Sequence, residues 1–184
     1  GYFDKQGGRF PFCRATAFTA NEVEKWEKVV PLAQRTAEVF RENLPTQYAA
    51  QHAVAKATPS EYVIRGTPFT TLTVNHNVIG RIHKDAGDYP DGFGCLMVLR
   101  SGQYGGGILT YPEYRCGVDL EDGDMVLFSP HDWHAVTDFI DPQPDHERIS
   151  VVFYYRTKMQ TCLPADEQLE QLKSRQLVLD DSEG

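Results

Sequence analysis

Residues 70–76 read Thr-Thr-Leu-Thr-Val-Asn-His, and at this stretch the chain changes from a helical to a strand pattern. Its alternate residues form two sets, which is the period-two pattern of a half-buried strand. Further short strand-like runs follow, separated by Gly, Asp and Pro turn sequences. They lie at 95–99, 108–111, 116–120, 125–129, 135–140 and 149–155. Many short strands at this spacing predict a mainly β sandwich or jelly roll, which is a double-stranded β-helix.

The segment before the first strand has a helical pattern. Apolar residues recur at three- and four-residue steps from Val23 to Phe40, and Asn21 is a candidate N-cap. Pro31 lies inside this stripe, so we expect a kink or two abutting helices there, and Pro45 ends the pattern. We therefore expect N-terminal helices packed on a jelly-roll core. The predicted single domain over 1–184 has a helical part at about 1–60, the core at about 61–160 and a polar helical tail at 161–184.

Composition and charge exclude several classes of protein. Hydrophobic residues make up 41% and charged residues 24% of the 184, values close to globular averages that argue against a disordered chain. No apolar run approaches the roughly 18 residues of a membrane-spanning helix. The formal net charge of −8 argues against broad, non-specific binding of nucleic acid. It does not exclude a small patch of basic residues around the entrance of an active site.

The four cysteines lie far apart in the sequence, and no CxxC pair is present, which argues against a structural zinc module. The sequence also shows no secretory signal. We therefore expect free thiols in a reducing cytosol at Cys13, Cys95, Cys116 and Cys162.

Two separated motifs supply metal-ligating side chains. His83 and Asp85 are two residues apart, so on a strand their side chains point to the same side. About fifty residues later, His131 and His134 both offer a second imidazole. We favour His134 because the alternating residues after it let it enter a strand, whereas His131 follows Pro130 and is typical of a turn or of a residue that supports a ligand. Together with His134, the first motif predicts the 2-His-1-carboxylate site of non-haem iron(II).

A third motif offers groups that bind a dicarboxylate. Arg148, Ser150 and Tyr154 lie at even spacing on one predicted strand, so their side chains share a face. A guanidinium and two hydroxyls can hold a carboxylate through a bidentate ion pair and hydrogen bonds.

The order of these motifs resembles that of the 2-oxoglutarate/iron(II) dioxygenase superfamily. Further stretches resemble its ten-eleven-translocation/J-binding-protein branch, whose members oxidise the methyl group of 5-methylcytosine or thymine in nucleic acid. The resemblance covers residues 69–156, about half of the chain. The stretches that carry it are 70–75, 83–88, 105–109, the Trp133-His134 pair and 148–154.

The resemblance implies a jelly-roll dioxygenase that uses Fe(II), 2-oxoglutarate and O2. It assigns the iron to His83, Asp85 and His134. It assigns the distal carboxylate of 2-oxoglutarate to Arg148 and Ser150, with Tyr154 on the same face and Asn75 at the keto-acid end.

The resemblance also implies a 5-methylpyrimidine in DNA as the substrate, with a 5-hydroxymethylpyrimidine as the product. Asp88 stands where the animal members place an Asn that contacts the base. A carboxylate accepts hydrogen bonds, so Asp88 favours a donor such as the exocyclic amine of cytosine. Phosphate contacts are expected from Arg81, Lys84 and Arg156.

Two alternatives stay open at this point. The same chemistry can act on a peptide prolyl group, an alkylated base or a small molecule, and a jelly roll can also be a non-catalytic binding module. We expect a monomer that does not bind membranes. The expected compartment is the cytoplasm, that of the host cell for a viral protein, or the nucleus for a eukaryotic one.

Overall fold

The computed structural model describes residues 2–3 and 12–182, and strands make up most of its centre. The helices are α1 (Ala17–Asn21), α2 (Val23–Asn43), α3 (Pro45–Ala57) and α4 (Ala165–Ser182), with 3-10 turns at Ser60–Tyr62, Pro112–Tyr114 and Thr157–Thr161. The strands are β1 (Tyr2–Phe3), β2 (Phe12–Cys13), β3 (Thr71–His76), β4 (Gly80–His83), β5 (Gly94–Ser101), β6 (Gly105–Gly106), β7 (Leu109–Tyr111), β8 (Cys116–Val118), β9 (Met125–Phe128), β10 (His134–Val136), β11 (Phe139–Ile140) and β12 (Glu147–Tyr154).

Two four-stranded antiparallel sheets form the core. The major sheet has the strand order β3-β12-β5-β9, and the minor sheet has the order β4-β10-β7-β8. Except for β7 and β8, neighbours in these sheets are not consecutive in sequence, and the paired strands are antiparallel, as in a jelly roll. The predicted fold class is therefore confirmed. The predicted strand at 135–140 is instead two strands, because β10 joins the minor sheet while β11 pairs with β6.

The two faces of the major sheet have different partners. Successive residues of a strand point to opposite faces, and on β12 Val151 and Phe153 pack outward against Ala37 and Phe40 of α2. The inward residues of β5 join a second cluster between the sheets. The helical layer therefore covers one face of the major sheet, and the other face is left for the interior.

The N-terminal helices differ in detail from the sequence pattern. Asn21 ends α1 and is not the N-cap of α2, which begins at Val23 after Glu22. The α2 helix continues through Pro31 to Asn43 as one element, since buried residues on both sides of the proline pack on the sheet. The α3 helix, which the sequence pattern did not locate, begins with Pro45 in its first turn, where proline costs no hydrogen bond. Among the described helices, none is long and apolar enough to cross a membrane.

The prediction of four free thiols is wrong for two of the cysteines. Cys13 on β2 and Cys162, which precedes α4, form a disulfide with their Cα atoms 5.7 Å apart. Both are buried in a cluster with Tyr62, Tyr155 and Met159. Sequence spacing could not show this pair, because 149 positions separate the two residues and only the fold brings them together. Cys95 and Cys116 remain free.

We predict that the unfolded chain titrates two thiols without reductant and four after reduction. The reason is that the disulfide withholds two of the four cysteines until it is cleaved. Ellman titration in denaturant measures both values. Four reactive thiols in the unreduced protein would contradict the pairing, and the variant Cys95→Ala serves as control because it must lower each count by one.

Candidate active site

A histidine pair across two strands is the centre of the site. In the pairing of β10 with β4, His134 lies directly opposite His83. The two ring centroids are 4.4 Å apart. The edge of Phe128 packs on the His134 ring, which is buried, while His83 is exposed. The strand pairing therefore places two imidazoles side by side, one in the interior and one at the mouth.

Backbone carbonyls fix the orientation of both rings. Nδ1 of His83 lies 2.6 Å from the Arg81 carbonyl oxygen, and Nδ1 of His134 lies 2.8 Å from that of Asp132. An Nδ1–H that donates to a carbonyl leaves Nε2 unprotonated in the neutral ring, which is the form that binds metals. Both histidines therefore present Nε2 as the ligating atom.

Asp85 completes the group, although not from a strand. The strand β4 ends at His83, and the Asp85 N–H donates to the Pro130 carbonyl at 2.8 Å in the connection that follows. The expectation that His83 and Asp85 share one strand face is therefore wrong. The turn still brings Oδ1 of Asp85 to 3.5 Å from Nε2 of His83, and Oδ2 to 3.5 Å from Nε2 of His134.

These three residues have the donor set of a metal site. One ligand atom from each lies within 4.8 Å of the others. Burial lowers the pKa of His134, but hydrogen bonds to Asp85 and to the Asp132 backbone outweigh this effect, so its pKa lies above the ordinary value. Two imidazoles that bind through a deprotonated Nε2 and one carboxylate, all on one side of an ion, would match the facial triad of non-haem iron(II).

His131, the competing histidine, lies in the turn between β9 and β10. Its Nε2 is buried without a hydrogen-bond partner in the described part of the chain, and it is not a member of the His-Asp-His group. The structure thus places His134, and not His131, beside His83 and Asp85.

Arg148 occupies the inner end of the same cavity as the metal group. The residue is only 3% exposed, and its Nη2 has no hydrogen-bond partner within the described residues. Burial, and next to it the charge of Arg100, lower the pKa of this guanidinium below its ordinary value. A buried cation without a hydrogen-bonded anion is costly, so an anionic group bound at this end would lower that cost.

The other predicted 2-oxoglutarate contacts line the same cavity. The register of β12 and β3 sets Ser150 opposite Asn75, and the Asn75 amide donates to the Ser150 hydroxyl at 3.4 Å. The hydroxyls of Tyr154 and Thr73 are 3.3 Å apart. Four polar side chains from two strands therefore face the space between Arg148 and the metal group.

Asp88 is a buried carboxyl at the edge of the cavity. Burial and the neighbouring Asp85 carboxylate raise its pKa to about 7, although Arg156 and His134 act in the opposite direction. Asp88 and Arg156 form a backbone bridge, so the Arg156 guanidinium approaches from the adjacent segment. The structure thus brings Arg156 to Asp88, whereas the sequence analysis assigned it only to phosphate.

The two remaining predicted contact residues lie at the mouth. Arg81 and Lys84 are exposed on either side of His83. The ammonium of Lys84 lies 5.2 Å from the ring centroid of Trp133, which is itself exposed next to His134. A cation and an aromatic ring therefore flank the metal group on the solvent side.

The cavity has a volume of about 310 Å³ and an apolar wall that sequence reasoning did not identify. Strand alternation was the signal that could have identified this wall, because it puts Val152 on the same face of β12 as Arg148 and Ser150. In the structure Leu96 of β5 is paired with Val152 and points inward with it. Besides the residues already named, the lining includes Val78, Gly80, Leu96, Leu109, Phe128, Val136 and Val152.

The chain is similar to known proteins in sequence and in fold. Residues 1–157 match the Tet_JBP family, described as the oxygenase domain of the 2OGFeDO superfamily. Thymine dioxygenase JBP1 of Trypanosoma brucei brucei is 35% identical over 162 residues, which is 86% of this chain and 19% of the relative. The JBP1 proteins of Leishmania braziliensis and Crithidia fasciculata are each 33% identical over 86% of this chain and over 19% and 20% of their own length.

The chain spans about a fifth of the length of the curated relatives it matches. Among solved structures, NgTET1 in complex with 5mC DNA superposes with a TM-score of 0.70 and 18% sequence identity, over 95% of this chain and 67% of that chain. This likeness supports the jelly-roll fold. From the match over residues 1–157, the chain belongs to the Tet_JBP family of oxygenase domains in the 2OGFeDO superfamily.

Proposed function

We propose that this chain is an Fe(II)- and 2-oxoglutarate-dependent dioxygenase that hydroxylates the methyl group of 5-methylcytosine or thymine in DNA. One observation carries the proposal: a single cavity has the His-Asp-His group at one side and, at its inner end, the buried Arg148, whose Nη2 has no hydrogen-bond partner among the described residues. A ligand that joins a metal to a cation across this cavity has to bind the metal at one end and carry an anion at the other. 2-Oxoglutarate has this chemistry.

The donor set fits iron(II). His83, Asp85 and His134 would hold the ion from one side, leaving the opposite side for exchangeable ligands. When bound, the iron and 2-oxoglutarate together supply the O2-dependent oxidation of a C–H bond. The protein's part is to fix both imidazoles by their Nδ1 contacts and to hold Asp85 through the Pro130 carbonyl.

The inner end fits a carboxylate. Arg148 would donate to the distal carboxylate, and the Ser150 hydroxyl lies on the same strand face two residues away. Asn75 and Tyr154 would contact the remainder of the ligand, with Asn75 toward the keto-acid end. The apolar wall would cover the two methylene groups and keep water from the reacting centre.

The mouth fits an extruded base. An iron site inside a jelly roll cannot reach a methyl group that is stacked in a duplex, so the base must be flipped into the cavity. Asp88 would meet the polar edge of the base, and Arg81, Lys84 and Arg156 would meet phosphates. The names of the relatives support this substrate class, because JBP1 is a thymine dioxygenase and the NgTET1 structure contains 5mC DNA.

The remaining aspects of the proposal concern the working state of the protein. It acts as a monomer, takes O2 as co-substrate and does not bind membranes. The compartment is the one that holds its DNA, the nucleus of a eukaryote or the cytoplasm in other cases.

The metal assignment predicts opposite results for the two proposed histidine ligands and for His131. His134→Ala and His83→Ala should lose Fe(II) binding by at least about 100-fold, because each removes one of three ligands, while His131→Ala should stay within about tenfold of wild type. Anaerobic calorimetry with Fe(II) measures the affinity, and far-UV circular dichroism checks the fold. Loss of binding in His131→Ala with retention in His134→Ala would reverse the assignment.

The Arg148 assignment predicts a loss of 2-oxoglutarate affinity. A charge-assisted bidentate pair is worth roughly 1.5–3 kcal/mol, so Arg148→Ala should raise the dissociation constant at least about tenfold. Arg148→Lys should recover only part of the affinity, because an ammonium cannot reproduce the planar fork. Titration of the metal-loaded protein with 2-oxoglutarate tests both, and an unchanged affinity in Arg148→Ala would refute the role.

The substrate is tested with three duplexes of the same sequence and a prolyl peptide. One duplex contains 5-methylcytosine with uracil in place of thymine, the second contains thymine and unmodified cytosine, and the third contains neither methylated base. We expect succinate release and a 5-hydroxymethyl nucleoside, identified by mass spectrometry, from the first or second duplex and none from the third. Succinate release stimulated by the peptide alone would refute the DNA substrate and keep the oxygenase chemistry.

Two sets of variants separate base contacts from phosphate contacts in the same assay. Asp88→Ala should lower turnover on the duplex that the wild-type protein oxidises, or change the preferred base. Its affinities for Fe(II) and 2-oxoglutarate should stay at wild-type values. Arg81→Ala and Lys84→Ala should weaken binding of all three duplexes alike and lower the salt slope by about one unit for each lost phosphate contact. If these two variants bind each duplex with the same affinity as the wild-type protein, the proposed phosphate contacts are excluded.

A further inference from the structure

The turn that carries Asp85 and Asp88 lies between β4 and β5, and both carboxyl side chains line the cavity. Side chains that act on a ligand need a backbone that is fixed in place. The start of the turn is fixed by the hydrogen bond from the Asp85 N–H to the Pro130 carbonyl. Its other end, at Asp88, is held by a different segment, residues 155–157, which follows β12.

The peptide group before Asp88 is hydrogen-bonded at both of its polar atoms. Its carbonyl, that of Gly87, accepts from the Thr157 N–H at 3.0 Å. Its N–H, that of Asp88, donates to the Asp85 carbonyl at 3.1 Å within the turn. The plane of this peptide is therefore fixed both from inside the turn and from the segment after β12.

The peptide group after Asp88 is held by the same segment. The Tyr89 N–H donates to the Tyr155 carbonyl at 2.8 Å, and the Asp88 carbonyl accepts from the Thr157 hydroxyl at 2.7 Å. Because a residue has only two soft backbone angles, fixing both flanking peptides fixes the direction in which the Asp88 side chain leaves the backbone. The carboxyl group is thereby directed into the cavity, where Asp88 is only 8% exposed.

The segment that holds the turn is itself anchored to the rest of the fold. Tyr155 is buried, and its hydroxyl lies 2.6 Å from that of Thr58 at the end of α3. The Arg156 N–H donates to the hydroxyl of Thr70, which precedes β3. Residues 155–157 therefore give the turn a fixed support.

Thr157 supplies the one of these four contacts around Asp88 that depends on a side chain. The other three join backbone to backbone, so a substitution at residue 157 that keeps the N–H leaves them in place. Thr157 is half-buried and is not among the residues that line the cavity. Its hydroxyl therefore acts on the site through the backbone of Asp88 and not by contact with a ligand.

We propose that Thr157 is a positioning residue for the DNA base, acting through Asp88. Its hydroxyl holds the Asp88 carbonyl, and this contact keeps the Asp88 carboxyl directed at the polar edge of the base. Without the hydroxyl, this hydrogen bond is lost and the peptide after Asp88 is free to turn. The inference rests on the proposed function, since it takes Asp88 as the residue that meets the base.

The test compares three substitutions on the duplex that the wild-type protein oxidises. Thr157→Val keeps the shape of the side chain and should lower kcat/KM about fivefold, in the range of a neutral hydrogen bond. Thr157→Ser keeps the hydroxyl and should stay within about twofold of wild type. Thr161→Val is the matched control, because the Thr161 hydroxyl donates to the Lys158 carbonyl at 2.8 Å at the other end of the same 3-10 turn. It should leave kcat/KM unchanged.

Two further measurements separate the positioning of Asp88 from a general loosening of the turn. The affinities of Thr157→Val for manganese(II) and for 2-oxoglutarate, measured by calorimetry, should stay at wild-type values, because Asp85 keeps its contact with the Pro130 carbonyl. In the Asp88→Ala background, Thr157→Val should have no further effect on kcat/KM, since the carboxyl group that it positions is absent.

Amide hydrogen exchange on the metal-free protein, followed by NMR, reports on the contact without any turnover. In Thr157→Val the amide of Tyr89, which belongs to the peptide after Asp88, should exchange about fivefold faster than in wild type. The amide of Asp85 should exchange at the wild-type rate.

Wild-type kcat/KM in Thr157→Val would overturn the inference, as would an equal loss in Thr161→Val. Weaker manganese(II) binding, or a loss of kcat/KM that persists in the Asp88→Ala background, would also overturn it. Failure of the wild-type protein to oxidise any methylated duplex would instead overturn the proposed function, and with it the role at the base. The exchange of the Tyr89 amide would then still show whether Thr157 holds the turn.

Discussion

The pairing of β10 with β4 is the constraint on which the rest of the site depends. It joins two short strands whose histidines are about fifty residues apart and sets the imidazoles 4.4 Å from each other. A slip of one residue in this register would turn His134 to the opposite face of the sheet. Asp85 needs no strand of its own, because its N–H is held by the Pro130 carbonyl, which lies a few residues before His134. One pairing therefore positions all three potential ligands.

The β12 strand couples the fold to the ligand end of the cavity. It is a central strand, bonded to β3 on one side and to β5 on the other. Its outward residues Val151 and Phe153 anchor the helical layer, and its inward residues Arg148 and Ser150 face the cavity. The apolar burial that stabilises the fold thus also fixes the two side chains that would receive a carboxylate. Burial of the Arg148 charge costs free energy, and the apolar burial under the helical layer on the other face of the sheet offsets this cost.

The sequence predicted those features that depend on local pattern. Alternation identified most strands, and the residues after His134 distinguished it from His131, which lies in a turn. Features that depend on tertiary contacts were missed or wrong. The Cys13–Cys162 disulfide joins two residues 149 positions apart, and Asp85 is placed by a turn that the Pro130 carbonyl holds. The partners in these contacts, Cys13 with Cys162 and Asp85 with Pro130, are far apart in sequence, so no local pattern reveals them. His83 and Asp85 are close in sequence, but a turn stands where the pattern predicted a strand.

Under the proposed function, the contrast between the two ends of the cavity would set the order in which ligands enter. Arg148 is 3% exposed at the inner end, whereas the His83 side chain is 49% exposed at the mouth, beside Lys84 and Trp133. A small dicarboxylate must pass the metal group to reach Arg148. A nucleic acid on the mouth would cover that route, because the base has to enter beside His83. Under the proposed function, the co-substrate would therefore bind before the large substrate, and DNA would be the last ligand to arrive before O2.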